Sequence, residues 1–198
     1  MTKQEQMKEI RDAVWNGKNL PLYAERIKNK AYPVIGEGSH DAKIVFIGEA
    51  PGKNEAKTGR PFCGTAGKIL DSLLQSAGIQ REDVYITNIV KDRPPQNRDP
   101  LPEEIEAYAP FLVRQIEIIK PSVLATLGRY SLNYILEMFN LREEAAPISK
   151  IHGRVFTANA PHGPVKIVAL YHPAAAVYNR TLLETLKKDF LVLKTYTS

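Results

Sequence analysis

The sequence predicts an α/β protein whose sheet is mostly parallel and covered by helices on both faces. Two observations carry this. Short apolar runs alternate along the chain with longer stretches of helical periodicity, the pattern of repeated βα units. The residues able to do chemistry follow directly after those apolar runs, and open parallel sheets bind ligands outside the carboxyl ends of their strands.

Residues 3–17 read as a helix, with Met7, Ile10 and Val14 at helical spacing and Gly17 as a stop. Residues 21–29 read as a second, shorter one. The apolar run KIVFIG at 43–48 ends on a glycine and reads as a buried strand. Residues 65–77 put Ile69, Leu70, Leu73 and Leu74 on one face, with Gly78 just after. A strand is expected over 84–90, then a helix over 102–119 with proline at its start and acids in its first turn. SVLATL at 122–127 is a strand ending at Gly128, 130–139 a helix, 165–170 a strand and 182–193 a last helix. Gly48 to Gly52 thus follow the first strand, Asn88 ends the second, Gly128 follows the third and His172-Pro173 the fourth.

Composition bounds the function. The chain has 198 residues, 43% of them hydrophobic and 25% charged, which suits one compact domain over 1–198, with 1–35 as an N-terminal helical extension. The net charge of +5 is compatible with a polyanion partner without requiring one. A single cysteine, Cys63, excludes an internal disulfide and a cysteine-based zinc or iron–sulfur site. The charged N-terminus is no signal peptide, and the apolar runs of about six residues fall far short of the roughly 20 that span a membrane. A cytoplasmic monomer is expected, nucleoid-associated, or nuclear in a cell with a nucleus.

The first loop, GEAPGKNEAKTGRPFCGTAGK, is glycine-rich and opens a helix, so a phosphate cradle is one reading. A Walker loop needs four residues between its glycines, then Lys and Ser or Thr. Gly59 and Gly64 have that gap but Thr65-Ala66 follows; Gly67-Lys68 is followed by Ile69, with Phe62 five residues before Gly67. The nucleotide-triphosphate reading fails on spacing. The same loop, extended to GEAPGKNEAKTGRPFCGTAGKIL, resembles the first motif of the family 4 uracil-DNA glycosylases. TNIVKDRPPQNRDPLP resembles their second signature and YHPAA their His-Pro motif, in the same order. The resemblance runs from about Gly36 to the last helix. It implies a three-layer α/β/α sandwich with a central four-stranded parallel sheet.

The implied reaction, hydrolysis of a base from deoxyribose, leaves positive charge on the sugar and negative charge on the base, after the base is flipped from the duplex. Asn88 suits uracil recognition, because one amide offers both a donor and an acceptor, and uracil presents O4 beside N3–H while cytosine presents the reverse. Read without the motif, Asn88 only closes a strand or caps a turn. Phe62 suits stacking, or else anchors its loop in the core. His172 suits a hydrogen bond to uracil O2, whereas a lone His before Pro is more often a turn residue. His40 and His162 lie in polar or Gly/Pro-containing loops and read as bland. Glu49 suits orienting or deprotonating water, or caps local N–H groups. By resemblance Glu55 walls off the C5 side of the pocket, and Gly48 and Ala50 belong to the base-binding set.

Lys91, Arg93, Gln96, Asn97 and Arg98 lie in a loop stiffened by Pro94 and Pro95, where basic groups can reach phosphates. AAAVYNR at 174–180 matches the loop that family members push into the helix, with Val177 or Tyr178 as the wedge and Arg180 on phosphate. The family also carries four cysteines around an iron–sulfur cluster, which requires thiolates. Here those positions fall at Leu20, Tyr23, Asp92 and Tyr108. No cofactor is therefore expected. An apolar and aromatic plug of Leu20, Tyr23 and Tyr108, with Asp92 bonded to Tyr108 or to backbone, should pin the segments instead. His152 stands where the family usually has a basic residue.

The expected function is a monofunctional glycosylase that cuts uracil from single- or double-stranded DNA, leaving an abasic site as the first step of base excision repair. The alternatives are a protein that captures uracil-DNA with little turnover, and a glycosylase for hypoxanthine or xanthine. Capture through a histidine belongs to a branch with an inserted basic loop that this sequence lacks.

Overall fold

The computed structural model describes residues 1–177 and 179–197. Fourteen elements of regular structure matter for the site. In chain order they are α1 (Lys3–Asn16), α2 (Tyr23–Lys28), β1 (Glu37–Gly38), β2 (Ile44–Gly48), α3 (Lys53–Thr58), α4 (Thr65–Ser76), β3 (Tyr85–Asn88), α5 (Pro102–Ile119), β4 (Val123–Leu127), α6 (Arg129–Met138), α7 (Ile148–Ile151), β5 (Val155–Ala160), β6 (Gly163–Leu170) and α8 (Arg180–Phe190). Among the described residues no helix is long and apolar enough to cross a membrane.

The sheet has six strands in the order β1-β3-β2-β4-β6-β5. Its centre, β3-β2-β4-β6, is the expected four-stranded parallel unit. The strand count is corrected by two antiparallel edge strands, β1 on β3 and β5 on β6. The central strands are buried on both faces and so read as continuous apolar runs. β5 is half-exposed: Phe156 and Ala158 face the core while Thr157 and Asn159 face solvent, and an alternating edge strand leaves no such run.

Alternation within β2 shows how both faces are covered. Val45 and Ile47 join Met7, Ile10, Leu112 and Ile135, which belong to α1, α5 and α6. Ile44 and Phe46 join Leu70, Leu73, Leu186 and Phe190, from α4 and α8. The chain passes from β2 to β3 on one side and continues from β4 to β6 on the other. A crevice therefore opens at the carboxyl ends between them.

A third, smaller cluster lies beyond the end of β3. Val14, Leu20, Leu22, Val90 and Tyr108 are buried together, with Tyr23 packed against them. The Tyr108 hydroxyl donates to Asp92 Oδ2 at 2.6 Å. The four positions expected to form a plug do meet, and Asp92 takes the Tyr108 bond. The sequence reading missed the partner that completes it. Arg26 is buried, donates to both Asp92 oxygens at 3.1 and 3.0 Å, and reaches the Val14 and Trp15 carbonyls at the end of α1. Burial leaves the Asp92 carboxyl raised, against the opposing pull of the Tyr108 and Arg26 contacts.

Removing one member of a buried pair strands the other charge in a poorly solvating interior, at a cost of about 3–5 kcal/mol. Asp92→Ala should therefore lower Tm by on the order of 10 °C. A thermal melt that moves by no more than about a degree would show that the pair does not hold this corner together.

Candidate active site

A cavity of about 470 Å³ opens at the carboxyl edge of β2, β3 and β6. Eight of the residues expected at a site line it: Glu49, Ala50, Glu55, Phe62, Asn88, Asn97, Arg98 and His172. They come from segments far apart in sequence, each placed by the strand or loop before it.

Gly48 is what lets the walls close. A Cβ there would collide with Asn88 Oδ1 and press on the Phe62 ring. Phe62 is itself held at φ 47°, a left-handed backbone that is costly for a bulky residue and persists only where surroundings over-determine it. Gly67 makes room for that turn, since a Cβ there would strike the Phe62 carbonyl. The Phe62 ring lies beside the His172 ring, 5.6 Å between centroids and tilted by 34°.

His172 Nδ1 accepts a hydrogen bond from the Ala174 N–H at 3.1 Å. A neutral imidazole whose Nδ1 accepts must carry its proton on Nε2. Burial holds the ring down at about 4, against the pull of Glu55. His172 is therefore a neutral Nε2–H donor at physiological pH.

The two carboxylates divide their work. Glu55 Oε1 accepts from the Cys63 and Gly64 N–H groups at 3.1 and 3.0 Å, so it shapes the loop and the start of α4. The capping role considered for Glu49 belongs to Glu55. Among the described residues no hydrogen bond engages the Glu49 carboxylate. Burial, helped by the Asp99 charge and opposed by Arg129, pushes it up to about 7. Asp99 also lines the cavity and was missed from sequence, because only the basic groups of its loop drew notice. It is held by the Tyr130 hydroxyl, with Arg129 Nη2 at 3.4 Å.

Lys91 corrects an expectation. It is fully buried and does not face a phosphate. Its amine donates to Thr87 Oγ1, the Asn88 carbonyl and Gln115 Oε1 at 2.8, 2.6 and 2.6 Å, and burial pushes it well down. It pins the backbone of the residue at the end of β3. Arg98 lines the cavity mouth but pairs two-pronged with buried Glu104 at 2.6 and 2.8 Å, which ties its loop to α5. Arg93 bonds Asn97 at 2.6 Å. Val177 follows the short helical turn Pro173–Ala176, and exposed Arg180 begins α8 behind its Asn179 cap. Tyr178 lies outside the described residues. His152 Nδ1 meets Asp189 Oδ2 at 2.8 Å, tying the end of α7 to α8.

At the family's cluster position the side chains are aliphatic Leu20, two phenols and the Asp92 carboxylate. Cys63 sits in the pocket loop, its Sγ 3.3 Å from Thr58 Oγ1. A donor set without thiolates, whose one carboxylate is taken by Arg26 and Tyr108, does not fit an iron–sulfur cluster.

The molecule is thus an α/β protein with a cavity at the carboxyl edge of its parallel sheet, where an aromatic ring, an amide, an imidazole and carboxylates meet. The family model described as "Uracil DNA glycosylase superfamily" matches residues 35–194. The type-4 uracil-DNA glycosylase of Archaeoglobus fulgidus is 48% identical over 163 residues, covering 82% of this chain and 81% of that protein. That of Thermotoga maritima is 41% identical over 180 residues, 91% of this chain and 88% of the relative. A type-5 uracil-DNA glycosylase of Thermus thermophilus is 34% identical over 157 residues, 72% of this chain and 69% of the relative. The chain belongs to the uracil-DNA glycosylase superfamily.

Gly48→Ala should force the Asn88 amide and the Phe62 ring apart, costing about 1–3 kcal/mol of stability through overpacking. A crystal structure of the variant with both side chains unmoved would contradict this account of the glycine.

Proposed function

We propose that this chain removes uracil from DNA by hydrolysing the N-glycosidic bond, leaving an abasic site for base excision repair. The observation that carries this is the meeting of Asn88, Phe62, His172 and Glu49 around one cavity. The names of its relatives, type-4 uracil-DNA glycosylases among them, support the same reading.

In this mechanism the flipped uracil stacks on Phe62. Asn88 accepts from N3–H and donates to O4, a pattern that cytosine cannot match. Gly48 and Ala50 border the base, and Glu55 keeps the loop closed near its C5 side. Water attacks C1′ as its proton passes to Glu49, the bond from C1′ to N1 breaks, and the departing uracil anion is met at O2 by His172 Nε2–H. Arg93, Asn97, Arg98 and Arg180 contact the DNA backbone, Arg98 after loosening from Glu104, and Val177 or Tyr178 fills the vacated stack. The protein acts as a monomer on single- or double-stranded DNA, in the cytoplasm or beside the nucleoid, and works without an iron–sulfur cluster. The Arg26–Asp92–Tyr108 contact serves in its place.

Asn88→Ala leaves two polar edges of the base unpaired and should cut uracil excision by roughly a hundredfold or more. Alkaline cleavage of a uracil-containing oligonucleotide measures it, and full activity in the variant contradicts the assignment. A protein–DNA band stable to SDS in place of alkali-labile sites would instead indicate capture.

Glu49 must be ionised to take the proton. With its carboxyl at about 7 in the free protein, kcat/KM should rise with pH through that value and level off above it. His172 charges only near 4, below that window. Glu49→Gln should lose the slope and roughly 10²–10⁴ in rate. A slope that survives the substitution assigns the base elsewhere.

A further inference from the structure

A second groove, of about 500 Å³, runs along the other end of α3. Its floor and rim include Trp15, Tyr32, Lys8, Arg11, Thr58 and Gly59. Trp15 is 49% exposed and Tyr32 47%, unusual for such large rings. Their centroids are 5.8 Å apart and their planes 33° from parallel, which makes a paired aromatic surface open to solvent. Lys8 and Arg11 border it, and among the described residues no carboxylate lines the groove. Arg11 is paired with neighbouring Asp12 at 2.7 Å, but both are half-exposed, and such a pair is weak enough to yield to a phosphate.

We infer that this groove carries a single-stranded stretch of the substrate DNA, its bases stacked on Trp15 and Tyr32 and its phosphates beside Lys8 and Arg11. Exposed aromatic rings interleaved with cations are the chemistry that binds single strands without regard to sequence. The groove and the uracil pocket lie at opposite ends of α3. Gly52 and Glu55 at one end line the pocket, and Thr58 with Gly59 at the other line the groove. A six-residue helix is about 9 Å long, roughly the rise of three stacked nucleotides.

The platform is also rigidly mounted. The Tyr32 N–H donates to the Ala56 carbonyl of α3 at 2.8 Å. The Trp15 carbonyl accepts from Arg26, the residue paired with Asp92, at 2.8 Å. The buried Arg26–Asp92 contact therefore fixes the backbone that carries one of the two rings. The inference rests on the glycosylase reading for the identity of the strand.

Trp15 is the only tryptophan in the chain, so its emission reports on this groove alone. The test titrates the protein with uracil-free oligothymidylate, following binding by anisotropy of labelled DNA and stacking by tryptophan emission. Saturating DNA should quench the emission. The variant with both Trp15→Ala and Tyr32→Ala should bind the oligomer at least about tenfold more weakly. On uracil-containing single strands it should raise KM with kcat and Tm little changed. Unchanged emission with DNA bound, failure to bind oligothymidylate, or an unaltered KM overturns the inference and leaves the rings to a protein partner. Quenching by uracil-free DNA in a protein that cuts no uracil would instead overturn the catalytic reading while the strand path stands.

Discussion

Two consecutive ionisable side chains, Lys91 and Asp92, are buried just past β3, and the geometry of the site depends on both finding hydrogen-bond partners. A polar group left without partners in such a place is costly, so each dictates its surroundings. Lys91 turns back under the strand and satisfies its donors on Thr87, the Asn88 carbonyl and Gln115 of α5. Asp92 turns outward to Tyr108 of α5 and Arg26 of α2. The strand end that presents Asn88 is thereby fixed to α5 twice and to the N-terminal helices once.

That arrangement ties the N-terminal helices and α5 to the strand end through side-chain hydrogen bonds. The segments it joins are α1, α2, the loop after β3 and α5: Arg26, itself in α2, bonds α1 and the loop directly, and Asp92 in that loop bonds Tyr108 of α5. The loop after β2 is organised separately, by Glu55 on the backbone of Cys63 and Gly64 and by the left-handed turn at Phe62. The two systems meet at Gly48, where the absence of a side chain lets Asn88 and Phe62 approach each other. Glu49, next in the chain, is left with a carboxylate raised by burial and the Asp99 charge, while His172 opposite it stays neutral. One acid and one donor with pKa values pushed apart make a sensible base and leaving-group partner.

Much of this was legible in the sequence because the physics is local. β2 and β4 are continuous apolar runs ending at glycine, and burial on both faces permits little else. Glu49 and His172 come just after strands and Asn88 ends one, while Phe62 lies in the glycine-rich motif between β2 and α4. What escaped was set by tertiary contact. Lys91 reads as a loop cation, yet Gln115, 24 residues on, supplies the acceptor that draws it inside. Arg26 sits in the short polar helix YAERIK, where nothing local distinguishes it from Lys28. α3 has only Ala56 buried, so it lacks an apolar face to read, and β1 is two residues long.

The central claim is that uracil lies between Phe62 and the Asn88 amide with its O2 toward His172. A crystal structure of the Glu49→Gln protein with a uracil-containing oligonucleotide tests it most directly. The account predicts the base flipped into the cavity, Asn88 within about 3.2 Å of N3 and O4, and His172 Nε2 at a similar distance from O2. A base bound elsewhere, or held in the cavity with O2 turned away from His172, would contradict it.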